Sequence, residues 1–149
     1  MGCQPHWVVW RAVLDTSILV AARRIRREAS STLPGLVADR IVVPLVSTPL
    51  LLAHEDVLKR PEQLQAMAIG ADWIGDFLAA FASSSESVEI HDRWRPQVRD
   101  PGDELALETA IDGRAAALVT FNLRDLADAG RGFGIPVMRP GNALKRCSV

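Results

Sequence analysis

Apolar and polar positions fall into two kinds of block along this chain. Short apolar runs stop abruptly at Asp, Ser or Thr, and stretches with apolar residues three and four apart follow them. Residues 1–10 show no clean period and read as a tail that includes Trp7 and Trp10. Residues 11–14 then predict a strand, ended by the helix-capping trio Asp15-Thr16-Ser17, with Ile18, Leu19, Ala21 and Ala22 on the helix that follows. The β-branched run 41–46 predicts a second strand, and Ser47, Thr48 and Pro49 open a helix expected to reach Arg60 before Pro61. Residues 62–82 carry helical spacing and predict two helices broken near Gly70; 83–87 read as a loop and 88–90 as a short strand. Next, Asp100-Pro101-Gly102-Asp103 reads as a turn that delivers Asp103 as the cap of a helix over 105–111, closed by Gly113. Strands over 116–120 and, at the edge, 134–138 follow, and Pro140 starts a terminal helix. Strands alternating with helices imply a parallel sheet covered on both faces, hence one α/β domain over 11–149.

Composition narrows the partners. Seventeen basic residues against eighteen acidic ones give a net charge of −1, which argues against a polybasic nucleic-acid binder but leaves room for a local basic patch. No apolar stretch is long enough to span a membrane, and the opening residues lack the basic and apolar regions of a secretory leader. Cys3 and Cys147 stand far apart and form no metal knuckle, so a reducing cytoplasm is the expected setting.

Ligands of open parallel sheets sit beyond the carboxyl ends of the strands. Asp15 ends the first strand, Asn122 and Asp125 follow the strand over 116–120, and Asp103 heads the helix leading into it. Carboxylates gathered in one crevice repel one another unless a cation sits between them. Oxygen-only ligands suit Mg²⁺ or Mn²⁺, which can activate a water for displacement at phosphorus. Each acid also has a plainer reading. Asp15 and Asp103 could serve only as caps, and Asp125 could pair on the surface with Arg124. Glu104 and Glu108, four apart, read as a solvated helix face.

Four segments, in order, carry a family resemblance. They are Val13-Leu14-Asp15-Thr16-Ser17-Ile18-Leu19-Val20; the stretch from Pro49 to Pro61 with Glu55-Asp56-Val57-Leu58-Lys59-Arg60-Pro61; the stretch from Trp94 to Glu104; and Ala117-Leu118-Val119-Thr120-Phe121-Asn122-Leu123-Arg124-Asp125-Leu126. Together they resemble the toxin-like branch of the PIN domains, and the resemblance spans about residues 12–146. It implies a three-layer sandwich with a central twisted parallel sheet of four to five strands. It also implies an endoribonuclease dependent on Mg²⁺ or Mn²⁺, typically the toxin of a toxin–antitoxin pair, leaving a 5′-phosphate and a 3′-hydroxyl. By this resemblance Asp15, Asp103 and Asp125 would hold the metal, Asn122 would stand where many relatives have Asp, and Ser17 and Asp100 would support. RNA, a small antitoxin and a second copy of the chain are the implied partners.

The sequence departs from the family pattern in two places. Asp-Thr-Ser stands for the usual Asp-Thr-Asn, and Ser17 can still hydrogen-bond Asp15 over a shorter reach. Relatives commonly read Leu-Glu-Tyr-Glu where this chain has Leu52-Ala53-His54-Glu55, so Ala53 takes the place of a carboxylate. Glu55 lies two residues on, roughly 200° around a helix, and is kept as a site candidate under a shifted alignment. That departure motivates a second reading, a catalytically weakened PIN domain that binds RNA or protein. A phosphatase on a similar sheet ranks last, because Asp15-Thr16-Ser17 lacks the second Asp of an Asp-x-Asp nucleophile. Arg23 and Arg24, with Arg26 and Arg27, could grip RNA phosphates or form a solvated or antitoxin-facing surface. Trp94 could stack on a base, but a core role suits it better. His6, His54 and His91 show no metal spacing and are given no catalytic role. The apolar faces within 64–81 read as core that could also lend surface to a dimer or an antitoxin helix.

Overall fold

The short apolar runs form strands and the helically patterned stretches form helices. The structure, a computed structural model, describes residues 10–24, 41–91 and 100–147. In chain order the elements are β1 (Trp10–Leu14), α1 (Thr16–Arg24), β2 (Val42–Val46), α2 (Thr48–Leu58), α3 (Pro61–Met67), α4 (Ala71–Ser83), β3 (Glu86–Ser87), α5 (Pro101–Gly113), β4 (Ala117–Val119), α6 (Leu123–Gly132), β5 (Val137–Met138) and α7 (Pro140–Cys147). Among the described residues every strand pairing is parallel, in the order β3-β2-β1-β4-β5. The expected five-stranded parallel α/β sheet is present, with β5 at its edge.

Period-two alternation in the central strands builds two cores, one on each face. Ala12 and Leu14 of β1 and Ala117 and Val119 of β4 pack with Ile18, Leu58, Ile74, Leu78 and Phe81. Val13 and Leu118 point the other way, against Leu50, Ala106, Leu107, Ala110 and Leu126. Each such Leu or Ile taken fully out of water contributes on the order of 2 kcal/mol. Ser47 caps α2 by accepting the Leu50 N–H at 3.3 Å and shares a hydrogen bond of 2.8 Å with Thr109 of α5, so the two helices are tied at that point. The C-terminal end of α5 is held from the far end of β1: the Arg11 guanidinium donates to the Gly113 carbonyl at 2.9 Å and also pairs with Glu86. Gly130 of α6 lets that helix lie on β5, since a Cβ there would stand 2.5 Å from Val137 Cγ2 and 2.8 Å from the Ile135 carbonyl oxygen.

Several boundaries differ from the sequence expectation. Trp10, assigned to the tail, is buried and opens β1, because its N–H bonds the Ile41 carbonyl at 3.0 Å. α2 ends at Leu58, and α3 begins directly at Pro61. The strand expected over 88–90 lies at Glu86–Ser87, in register with Leu45 and Val46. Val88 makes one last bond to the Val46 carbonyl at 2.8 Å, and its side chain turns inward against Gly113. The cap of α5 is Asp100, not Asp103: its Oδ1 accepts the N–H groups of Gly102 at 2.7 Å and Asp103 at 3.2 Å, with Pro101 at the first helical position. Glu104 and Glu108 are buried, at 3% and 1% exposure, rather than solvated, because α5 is covered along both of these positions.

Candidate active site

Where β1 ends, the chain is pinned before it enters α1. The Asp15 N–H extends the ladder to the Val119 carbonyl at 2.9 Å, and the Asp15 carbonyl accepts the Ile18 N–H at 2.9 Å. Its carboxylate is buried and held from both sides on one oxygen. Ser17 Oγ and Thr120 Oγ1 each donate to Asp15 Oδ2 at 2.8 Å. The shorter reach of serine in the Asp-Thr-Ser trio is therefore sufficient. Thr120 Oγ1 in turn accepts the Asn122 N–H at 2.9 Å, and Ser17 Oγ accepts the Phe121 N–H at 3.3 Å.

The second wall comes from α5. Because Asp100 does the capping, the Asp103 side chain is free to meet Asn122, whose Nδ2 donates to Asp103 Oδ2 at 2.8 Å and to Asp125 Oδ2 at 3.2 Å. Burial, then the negative charges of Asp15 and Asp100, and finally that of Asp125 push Asp103 up to about 7, against a smaller opposing pull from the Asn122 hydrogen bond. Asp103 therefore carries a proton for much of its time at neutral pH.

A cleft of about 710 Å³ opens between these walls. Asp15, Thr16 and Ser17 line it from the end of β1 and the start of α1, Asp100, Gly102 and Asp103 from α5, and Asn122 from the loop after β4. Val20, Ala21, Ala53 and Val57 supply the apolar side. Asp125 sits behind Asn122 and is not in the lining. Glu55 is placed elsewhere, ion-paired with Lys59 at 3.1 Å beside a surface depression that includes Leu52, Asp56 and Arg60. A helix turns too far in two residues for Glu55 to share the face of Ala53, so a methyl group stands in the cleft where a carboxylate was considered. Arg23 and Arg24 close α1, but their side chains, like Arg26, Arg27 and Trp94, lie outside the described residues.

From the sequence Thr16 reads only as part of a helix cap, and Thr120 and His54 carry no site role. Thr120 was findable as a hydroxyl directly beyond a buried strand that ends beside Asp15. His54 is fully buried and lies 2.6 Å from Thr16 Oγ1 through Nδ1.

The donor set suits a hard divalent cation. Its donors are oxygens, and the Asp103 carboxyl, raised by burial and then by the nearby Asp15 and Asp100 charges, is one that a bound cation would favour in its ionised form. Among the described residues no group of three or more His, Cys, Asp or Glu could hold a metal ion. The fit is to an ion such as Mg²⁺, which keeps several waters and takes one or two carboxylates from the protein.

The family model for the PIN domain matches residues 11–124 of this chain. No curated protein matches it. Among solved structures, the crystal structure of VapBC2 from Rickettsia felis bound to a DNA fragment from their promoter is similar over 87% of this chain and 98% of that one, with 18% identity and a TM-score of 0.55. At that identity the likeness is one of fold.

Proposed function

The chain belongs to the PIN domain family, and on that footing we propose that it is a divalent-metal-dependent endoribonuclease, the toxin of a toxin–antitoxin pair. The observation that carries this reading is the convergence of Asp15, Asp103 and Asn122 on one cleft at the carboxyl ends of β1 and β4, where ligands of parallel sheets bind. Asp15 and Asp103 would hold Mg²⁺ or Mn²⁺, with Asp125 acting behind Asn122. When bound, such a cation lowers the pKa of water and offsets charge on a phosphate.

The chain's own residues prepare that site. Ser17 and Thr120 fix the plane of the Asp15 carboxylate, so it need not reorganise when a cation arrives. Asn122 orients Asp103 through Nδ2, and Asp103, raised by burial, would have to be ionised to hold a cation. Asp100 spends its carboxylate on the α5 cap and so holds the helix start, and with it Asp103, at the cleft edge. Arg23 and Arg24 at the end of α1 belong to the proposal as phosphate contacts. A small antitoxin is the proposed protein partner, supported by the likeness in fold to VapBC2, and a second copy of the chain is a further one. A cytoplasmic location belongs to the same proposal; among the described residues no helix is long and apolar enough to cross a membrane.

A second reading rests on Ala53 in the cleft lining and on the Asn122 amide that already bridges Asp103 and Asp125. It makes the protein a PIN domain that binds RNA or protein with little turnover. One experiment separates the two. Purified protein is incubated with a structured RNA pool in Mn²⁺, in Mg²⁺ and in EDTA, beside Asp15→Asn. Metal-dependent cutting that the variant loses supports the nuclease; a folded protein that cuts in neither metal leaves the binding module.

A further inference from the structure

His54 lies directly behind the cleft wall. It follows Ala53, which lines the cleft, and its fully buried ring reaches Thr16 Oγ1 at 2.6 Å through Nδ1. Burial pushes the imidazole down to about 4, so the ring is neutral at ordinary working pH and carries one proton on one of its two nitrogens. The other nitrogen, Nε2, is buried and has no hydrogen-bond partner among the described residues. Phe81 packs at right angles, but with ring centroids 6.2 Å apart its face is too far away to serve as an acceptor.

The two tautomers differ in what they leave unpaired. With the proton on Nε2, a buried N–H would point at hydrocarbon, which folded proteins rarely tolerate. With the proton on Nδ1, the orphan is an imine lone pair, and Nδ1–H donates to Thr16 Oγ1. The Thr16 hydroxyl then accepts from His54 and has its own proton to give. That residue lines the cleft beside Asp15, and the sole partner of its hydroxyl among the described residues is His54. Thr16 itself is half-buried and lines the cleft, which is where that proton has a partner to find.

We propose that His54 is a positioning residue which, through Nδ1–H, fixes the Thr16 hydroxyl as a donor aimed into the cleft, where it binds a non-bridging oxygen of a substrate phosphate. The inference deepens the nuclease reading and rests on it for the identity of the substrate as RNA. It makes the substrate contact beside Asp15 a neutral donor, where an acceptor would repel the phosphate.

The first test reads the tautomer itself. Side-chain ¹⁵N spectra of labelled wild type, with the His54 signals identified by their loss in His54→Phe, are expected to show the proton on Nδ1. A proton on Nε2 overturns the proposal, and wild type alone decides it if the variant fails to fold, because the buried ring is the one that does not titrate near neutrality. The second test is equilibrium binding of a short single-stranded RNA in EDTA to wild type, Thr16→Val, Thr16→Ser, His54→Phe and the Thr16→Val/His54→Phe double variant. Thr16→Val and His54→Phe are each expected to weaken binding about tenfold, as loss of a hydrogen bond to a charged oxygen does. Thr16→Ser is expected to keep it, and the double variant to be no worse than either single. Additive losses, or wild-type binding by Thr16→Val, overturn the proposal. Because this assay runs without metal or turnover, coupling between the two residues in a protein that never cuts RNA would sink the nuclease reading and leave this one standing. Cutting by a protein with uncoupled residues would do the reverse.

Discussion

Replacing Asp103 by asparagine keeps the side chain's shape and removes a charge that the fold holds at a cost. An ordinary aspartate ionises at 3.8; in the folded protein burial and the neighbouring Asp15 and Asp100 carry Asp103 to about 7. Between those values the native state keeps a proton that the unfolded chain has released, so the contribution of Asp103 to stability falls as pH rises through this window. Above pH 7 the full gap, about 4 kcal/mol, weighs on the metal-free fold. That figure is a ceiling for what Asp103→Asn can recover, since the amide must also leave water and its bond with Asn122 has to be remade. His54 acts in the opposite direction. Its folded value of about 4 lies below the ordinary 6.5, so stability is lost as pH falls from 6.5 toward 4. Comparing wild type with the variant cancels His54 and isolates Asp103. In urea unfolding with EDTA present, the stability of Asp103→Asn relative to wild type should be greater at pH 8 than at pH 5 by about 2–3 kcal/mol. An equal difference at the two pH values would refute the reasoning, because it would mean that Asp103 ionises in the fold as it does in the open chain.

Asn122→Asp exchanges a donor for a further carboxylate beside Asp103 and Asp125; melting in EDTA should drop, and the rise in melting temperature on adding Mn²⁺ should exceed that of wild type. A Mn²⁺ response no larger than wild type's would count against a cation site beside Asp103 and Asn122. Gly130→Ala places a methyl against Val137 and the Ile135 carbonyl, so urea unfolding should show a loss of about 1–3 kcal/mol, with Gly132→Ala, which meets open space, as the neutral control. Ser47→Ala removes both the α2 cap and one of the two hydrogen bonds of buried Thr109, which keeps its bond to the Leu105 carbonyl, and should cost about 1–2 kcal/mol by the same measurement.

The parts of the site that the sequence made legible are those fixed by local rules. Asp15 and Asn122 sit where strands β1 and β4 run out, and a strand's end can be read from its own few residues. Asp103 reads from the sequence both as a cap and as a site acid, and of these the cap passes to Asp100. Two aspartates three residues apart both suit a cap, and the tie is broken by Pro101, which fits the first helical position and so assigns the cap to Asp100. Glu104 and Glu108 illustrate the limit. Spacing of four puts two acids on one helix face in either case, and only the packing of α5 against the rest of the protein decides whether that face meets water. His54 was illegible for the same reason: its partner, Thr16, lies 38 residues away and belongs to a different helix.

The contact between Thr120 and Asp15 joins residues 105 apart in the chain, and this fixes when, during folding, the site comes into being. Strand β1 can pair with β2 early, since the intervening segment is comparatively short, but β4 must wait for most of the chain to be in place. Asp103 and Asn122 arrive with it. The mutual repulsion of the acids is therefore absent from the early steps and falls on the docking of β4 beside β1. In time rather than in space, the cleft is a late event, and a divalent cation present while the chain folds would act on its final assembly.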